Sequence, residues 1–120
     1  MNAEGGAYEA LRHRRSHSKV TGEAPDRAEL ERLLGAMSGV SDHSGLRPWR
    51  VIEIRGDARL RLGKALAKGA GLKKSAGIKK AMRAPLVLAI VVSPRTSKKV
   101  PPWEQEAVAS GVAHLLGLLD

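Results

Sequence analysis

The amino-acid sequence predicts a mixed fold of the α/β or α+β kind, with two strands set among helices. Three observations carry that reading. The run Leu86-Val-Leu-Ala-Ile-Val-Val is seven residues of almost pure strand former behind Pro85. The segment Trp49-Arg-Val-Ile-Glu-Ile is rich in β-branched residues and is punctuated by Gly56. Around and between the two lie stretches whose apolar residues recur at helical spacing.

In chain order, a short helix is predicted over Ala7 to His13, running into a basic segment that suits the negative end of a helix dipole. Val20 to Pro25 reads as a loop. Asp26 then caps a helix carrying Leu30, Leu33, Leu34 and Met37, which Gly35 and Gly39 weaken at its far end. A turn-rich stretch from Ser38 to Pro48 leads into the first strand. Asp57 begins a further helix with Leu60, Leu62 and Leu66, closed by Gly69 and Gly71; the basic stretch from Lys73 to Arg83 is left open between helix and mobile loop. The unbroken apolar run of the second strand predicts cover on both faces. Pro101 and Pro102 precede a last helix with Glu104 and Glu106 near its favourable first turn. Val108, Val112, Leu115, Leu116 and Leu119 give that helix an apolar stripe, and small residues fill much of the remainder, so it calls for burial that a partner subunit or further sequence is expected to supply. Two strands make a thin sheet. The expectation is that a partner subunit or further sequence completes it.

Composition narrows the function classes. The chain has 120 residues and a formal charge of +9, which favours anionic partners: nucleic acid, lipid headgroups or a phosphorylated cofactor. The charge gathers in Arg12 to Lys19 and in Arg59 to Arg83, where Asp57 alone opposes it between positions 57 and 83. With one Tyr, two Trp and no Phe, there is little material for stacking bases, so a small-anion site is at least as well supported as a nucleic-acid surface. Cysteine is absent, which excludes thiolate chemistry and fits a reducing, cytoplasmic compartment. No apolar run reaches membrane-span length, and the N-terminus has no signal-peptide core.

Among candidate residues, Arg14, Arg15 and Ser16 offer two guanidinium forks and a hydroxyl that match phosphate oxygens, with Lys19 close enough to join them. Composition alone favours a solvated basic turn. His43, before Pro48-Trp49, could meet an anion or a ring heteroatom; alone it reads as an exposed loop histidine. No histidine spacing suits a metal, and neither a GxGxxG nor a P-loop motif is present. Glu104 and Glu106, two apart on a helix, do not face one site as a carboxylate pair would. Trp49 is expected in the core, and His114 in a structural role.

Four ordered segments together resemble the nitroreductase family of flavoproteins, and more narrowly its short-chain bacterial members: Arg14-Arg15-Ser16-His17-Ser18-Lys19, Asp42-His43-Ser44-Gly45-Leu46-Arg47-Pro48-Trp49, Arg83-Ala84-Pro85-Leu86-Val87, and Lys99-Val100-Pro101-Pro102-Trp103-Glu104-Gln105-Glu106. The resemblance runs from about Tyr8 onward. It implies an α+β fold, a mixed sheet wrapped by helices, in an intertwined homodimer with FMN at the subunit interface. Residues 1–120 would be the N-terminal part of one such FMN-binding domain, completed by missing residues or by the partner. The resemblance also implies that Arg14, Arg15 and Ser16 hold the phosphate and ribityl end of FMN and that His43 touches the flavin. Hydride would pass from NADH or NADPH through FMN to a nitroaromatic, quinone or similar small acceptor, with no side chain assigned as obligatory acid or base. The alternatives are a dimeric module that binds flavin without turnover and, on the basic stretch alone, nonspecific nucleic-acid binding. Two positions depart from the family pattern: Arg47 stands where a polar amide commonly precedes Pro-Trp, and Gly39 stands near a point where short-chain members often carry arginine.

Overall fold

A computed structural model describes residues 5–119. The chain runs through α1 (Gly6–His13), α2 (Arg27–Gly35), β1 (Trp49–Arg55), α3 (Ala58–Ala70), α4 (Lys74–Ala81), β2 (Leu86–Val92) and α5 (Pro102–Leu119), with 3-10 turns at Ala36–Gly39 and His43–Gly45. The stretch left open by the sequence is thus helical over Lys74–Ala81.

Local chemistry sets most of the boundaries. The Asp26 carboxylate accepts a hydrogen bond from the Glu29 backbone N–H at 2.8 Å, satisfying one of the free donors that open α2. Arg27, Glu29 and Glu31 keep the outer face of that helix polar while Leu30 is buried. Gly71 ends α3 in the left-handed conformation, φ 68°, where its N–H turns back to the carbonyls of Ala67 and Lys68. Pro102 opens α5, in the first turn, where a missing N–H costs the helix no hydrogen bond.

β1 and β2 pair antiparallel from Trp49↔Val92 to Arg55↔Leu86, and Ser93 N–H extends the ladder to the Pro48 carbonyl at 2.7 Å. α5 lies against β2, α2 and the Ala36–Gly39 turn, and α3 lies against β1. Leu30, Met37, Val100, Val108, Ala109 and Val112 form the buried apolar set where α2 and α5 meet, each large side chain contributing roughly 1.5–3 kcal/mol on removal from water. On β1, Glu53 and Arg55 share a face. Arg55 donates to Glu53 and to the Pro25 carbonyl, and Arg27 reaches Glu53 at 3.0 Å, tying the strand to the start of α2.

α3 and α4 form a hairpin with a seam made of small residues. Gly63 and Ala67 on one helix and Gly77 and Ala81 on the other are all buried, at i,i+4 spacing on each. A Cβ on Gly63 would lie 2.5 Å from the Ile78 Cα, and one on Gly77 would meet the Gly63 carbonyl oxygen.

The burial expected of β2 and α5 is partial within this chain. Every residue of β2 is half-buried and none fully buried, because β2 pairs along one edge only in a two-stranded sheet. α5 buries Gln105, Val108, Ala109 and Val112, whereas Trp103, Leu115 and Leu119 remain 69%, 37% and 48% exposed. The molecule also shows more surface than its mass requires. Its accessible area is 8987 Å², against about 6,300 Å² for a compact monomer of this size. Its radius of gyration is 16.4 Å, where a closed domain of this length has about 13.6 Å.

Candidate functional site

The segment after α1 holds the first group of candidate residues. The helix ends at His13, and Arg14 leaves it in an extended conformation, φ −59° and ψ 135°. The Arg15 guanidinium turns back, its Nη1 donating to the carbonyls of Arg14 at 2.8 Å and Arg12 at 3.3 Å, so it serves the open C-terminal end of α1. Arg14 Nη1 donates to Ser16 Oγ at 2.9 Å. All three residues are exposed. A guanidinium has five N–H donors, so both arginines keep donors in hand, and the Arg14–Ser16 pair presents a guanidinium and a hydroxyl side by side. That donor set fits a phosphate.

The same segment continues onto the rim of a cavity of about 580 Å³. His17 and Lys19 stand at its edge with Glu23. Its interior is apolar, built from Leu30 and Leu33 of α2, Leu86, Leu88 and Ile90 of β2, and Leu116 of α5. An apolar cleft with a few charged groups at one side is what an amphiphilic ligand with an anionic end requires. The rim residues His17 and Lys19, rather than Arg14, Arg15 and Ser16 themselves, line the cavity.

His43 lies elsewhere in the fold, at the head of the turn that precedes β1. This turn is strained. Ser44 and Arg47 have φ of 64° and 47°, in the left-handed region, and Gly45 between them has φ 58°; each non-glycine residue there costs on the order of 1–2 kcal/mol. Asp42 holds the conformation. Its carbonyl accepts from Gly45 N–H at 2.9 Å and its Oδ2 from Arg47 N–H at 2.8 Å. The second carboxylate oxygen, Oδ1, is buried without a hydrogen-bond partner among the described residues. Asp42, Arg47, Met37 and Trp49 border a smaller cavity of about 260 Å³, so Trp49 is half-buried at a cavity wall and not in the closed core.

The first turn of α5 anchors two loops. Glu104 Oε1 accepts from His43 Nδ1 at 2.7 Å, linking the turn before β1 to the last helix. Gln105, 2% exposed, accepts the Arg95 backbone N–H at 2.7 Å and donates to the carbonyls of Arg95 at 2.9 Å and Val100 at 3.1 Å. In the sequence Glu104 reads as a first-turn acid that suits the helix dipole and as an unsuited half of a carboxylate pair, and Gln105 shows no role of its own. The available signal was the run Trp103-Glu104-Gln105 in a helix first turn, where side chains reach preceding loops. His114 is exposed and bonds within its own helix, to the Ser110 carbonyl at 2.7 Å.

Among the described residues no hydrogen bond joins Arg14, Arg15 or Ser16 to His43. No cluster of three or more His, Asp or Glu side chains suits a metal ion, and no helix is long and apolar enough to cross a membrane, again among the described residues.

Comparison with known proteins gives a consistent result. The family model described as "Nitroreductase family" matches residues 11–116. A protein of Escherichia coli strain K12 named "Putative NAD(P)H nitroreductase YdjA" is 37% identical over 109 residues, which are 86% of this chain and 60% of that protein. A "Putative NAD(P)H nitroreductase" of Haemophilus influenzae is 34% identical over 121 residues, with 93% of this chain and 65% of the relative covered. A crystal structure of a nitroreductase-like family protein from Bacillus cereus superposes with a TM-score of 0.79 at 17% identity, covering 99% of this chain and 66% of the other, and so shares the fold. The chain thus spans about two thirds or less of the length of these relatives.

Proposed function

Because the chain belongs to the nitroreductase family, we propose that it is the FMN-binding part of a nitroreductase-type oxidoreductase that passes hydride from NADH or NADPH to a nitroaromatic, quinone or similar small acceptor. The observation that carries the proposal is the Arg14–Ser16 pair, exposed and with guanidinium donors to spare, at the start of the segment that rims an apolar cavity. Arg14, Arg15 and Ser16 would hold the phosphate and ribityl end, and His43 would touch the flavin. Bound FMN would supply the hydride-accepting and hydride-donating chemistry, which no side chain of the chain can supply itself. The protein's part is binding, orientation and exclusion of water. Both named relatives carry NAD(P)H nitroreductase in their names, which supports the choice of reductant.

A homodimer belongs to the same proposal. The surface in excess of a compact monomer is about 2,700 Å² per chain, or about 5,400 Å² for a pair, on the scale of the largest obligate interfaces. The exposed Leu115 and Leu119 of α5 are apolar material for such an interface. The lack of cysteine fits a cytoplasmic setting.

An absorption spectrum of the purified protein, with added FMN and then anaerobic NADPH or NADH, tests the reading. A bound oxidised-flavin spectrum that bleaches with a nicotinamide is expected. A colourless protein that takes up no FMN overturns it. Flavin that is bound but reduced by neither nicotinamide selects a second reading, a flavin-binding module without turnover. That reading is favoured by Gly39, where short-chain members often have arginine, and by Arg15, part of whose guanidinium is committed to backbone carbonyls.

A further inference from the structure

We infer that Glu104 is a positioning residue that fixes the tautomer and orientation of His43, so that Nε2 is presented to the ligand as a hydrogen-bond acceptor. The role of Nε2 rests on the proposed function, in which His43 touches FMN; the tautomer itself does not. The geometry is a 2.7 Å contact between His43 Nδ1 and Glu104 Oε1, across 61 residues of sequence. A carboxylate has no proton to give, so a neutral imidazole meeting it through Nδ1 must carry its hydrogen there. Nε2 then bears a lone pair. A flavin mononucleotide offers acceptors in its phosphate and ring carbonyls and donors in its ribityl hydroxyls and ring N–H. An acceptor Nε2 pairs with the second set, which separates the work of His43 from that of Arg14, Arg15 and Ser16.

Both partners are held before any ligand arrives. Glu104 sits in the first turn of an 18-residue helix, whose next residue, Gln105, is pinned by three hydrogen bonds. His43 opens the turn that Asp42 closes through Gly45 and Arg47. The imidazole is 48% exposed and the carboxylate 30%, so the pair stands at the surface with Glu104 the more enclosed partner. The link contributes through orientation, since an exposed ion pair is worth little by itself. A histidine ring nitrogen is commonly set by the bond its other nitrogen makes.

The test is a long-range 1H–15N spectrum of the protein at a pH where its histidines are neutral, with His43→Gln identifying the resonance, alongside FMN titrations of wild type, Glu104→Gln and His43→Gln. The expected spectrum shows His43 protonated on Nδ1 in the wild type and shifted towards the other tautomer in Glu104→Gln, whose amide can donate as well as accept. Glu104→Gln is expected to weaken FMN binding about tenfold, the worth of one hydrogen bond. The double variant should bind no more weakly than His43→Gln alone. A wild-type His43 protonated on Nε2, or a tautomer unmoved by Glu104→Gln, overturns the inference. If the tautomer moves while every variant binds FMN as wild type does, Glu104 is supported as the positioning residue and the placing of His43 on the flavin is overturned.

Discussion

Gln105 meets Arg95 twice: its Oε1 accepts the Arg95 backbone N–H at 2.7 Å, and its Nε2 donates to the Arg95 carbonyl at 2.9 Å. A side-chain amide here pairs with a peptide group as a neighbouring strand would, and a third bond to the Val100 carbonyl closes the loop between β2 and α5. Gln105→Met keeps the approximate shape and removes all three bonds, leaving backbone groups in a part-buried setting. The expected cost is about 2–4 kcal/mol, because stranded backbone groups cost on the order of 1–3 kcal/mol each. Urea denaturation, read as a lower midpoint with an unchanged slope, checks it; a midpoint equal to wild type would show that the loop is held by other means.

The α3–α4 seam makes a prediction of opposite signs. Gly77→Ala places a methyl against the Gly63 carbonyl oxygen and 2.7 Å from the Ala67 Cβ, and neither group sits at the end of a flexible side chain. The helices must separate, at a cost of about 1–3 kcal/mol or more. Gly69→Ala, in the same hairpin, meets nothing within 4 Å and removes a helix glycine, so it should stabilise by up to about 1 kcal/mol. Thermal denaturation of the two variants side by side is the measurement. Two shifts in the same direction would contradict the packing described.

These cases show what was legible in the sequence. Boundaries set by one residue's chemistry could be read, as with Asp26 before α2, Gly71 after α3 and Pro102 at the start of α5, because caps and helix-opening prolines act within one turn of chain. The strands could be read because their composition is local too. What was hidden depends on distant partners. Glu104 looks like any first-turn acid until the fold brings His43 to it. Gln105 looks solvated until the loop from Ser93 to Val100 folds over it. The reach of β2's cover was overestimated for a related reason: apolarity reports that a surface should be covered, not what covers it. Arg14, Arg15 and Ser16 were legible as a cluster of hydrogen-bond donors, but their relation to the cavity was not, since it depends on where His17 and Lys19 lead the chain.

Glu53 predicts an acid-side loss of stability. Its carboxyl is held below the ordinary value of 4.5 chiefly by the hydrogen bond from Arg55, with the charges of Arg55 and Arg27 adding to it and partial burial opposing. A carboxyl whose folded-state pKa is depressed contributes stability that is fully present above its unfolded value and is lost as pH falls through the folded one. The expected loss therefore sets in below about pH 4.5. Glu53→Gln should flatten the dependence of the denaturation midpoint on pH in that acid window and leave its course between neutral pH and about pH 6 alone. An equally steep acid limb in the variant would assign the loss to other carboxylates.

Arg14 and Arg15 can be separated from the rest of the proposed cofactor site by changing the ligand as well as the protein. FMN and riboflavin share the ring and the ribityl chain and differ in the phosphate, so a residue that binds phosphate should distinguish them. Arg14→Ala removes a guanidinium that, among the described residues, is engaged only with Ser16 Oγ. It should weaken FMN binding roughly 10- to 100-fold, the worth of a charge-assisted hydrogen bond, and leave riboflavin binding nearly unchanged. Arg15→Ala carries a second consequence, because Arg15 also donates to the Arg12 carbonyl at the end of α1. It should lower FMN affinity and also loosen α1, seen as faster amide hydrogen exchange over residues 6–13, whereas Arg14→Ala should leave that exchange alone. Arg14→Lys keeps the charge but loses the fork, so an intermediate FMN affinity is expected. Fluorescence titration with both flavins reads all of these. Equal losses for FMN and riboflavin in Arg14→Ala would place the guanidinium away from the phosphate and overturn this assignment.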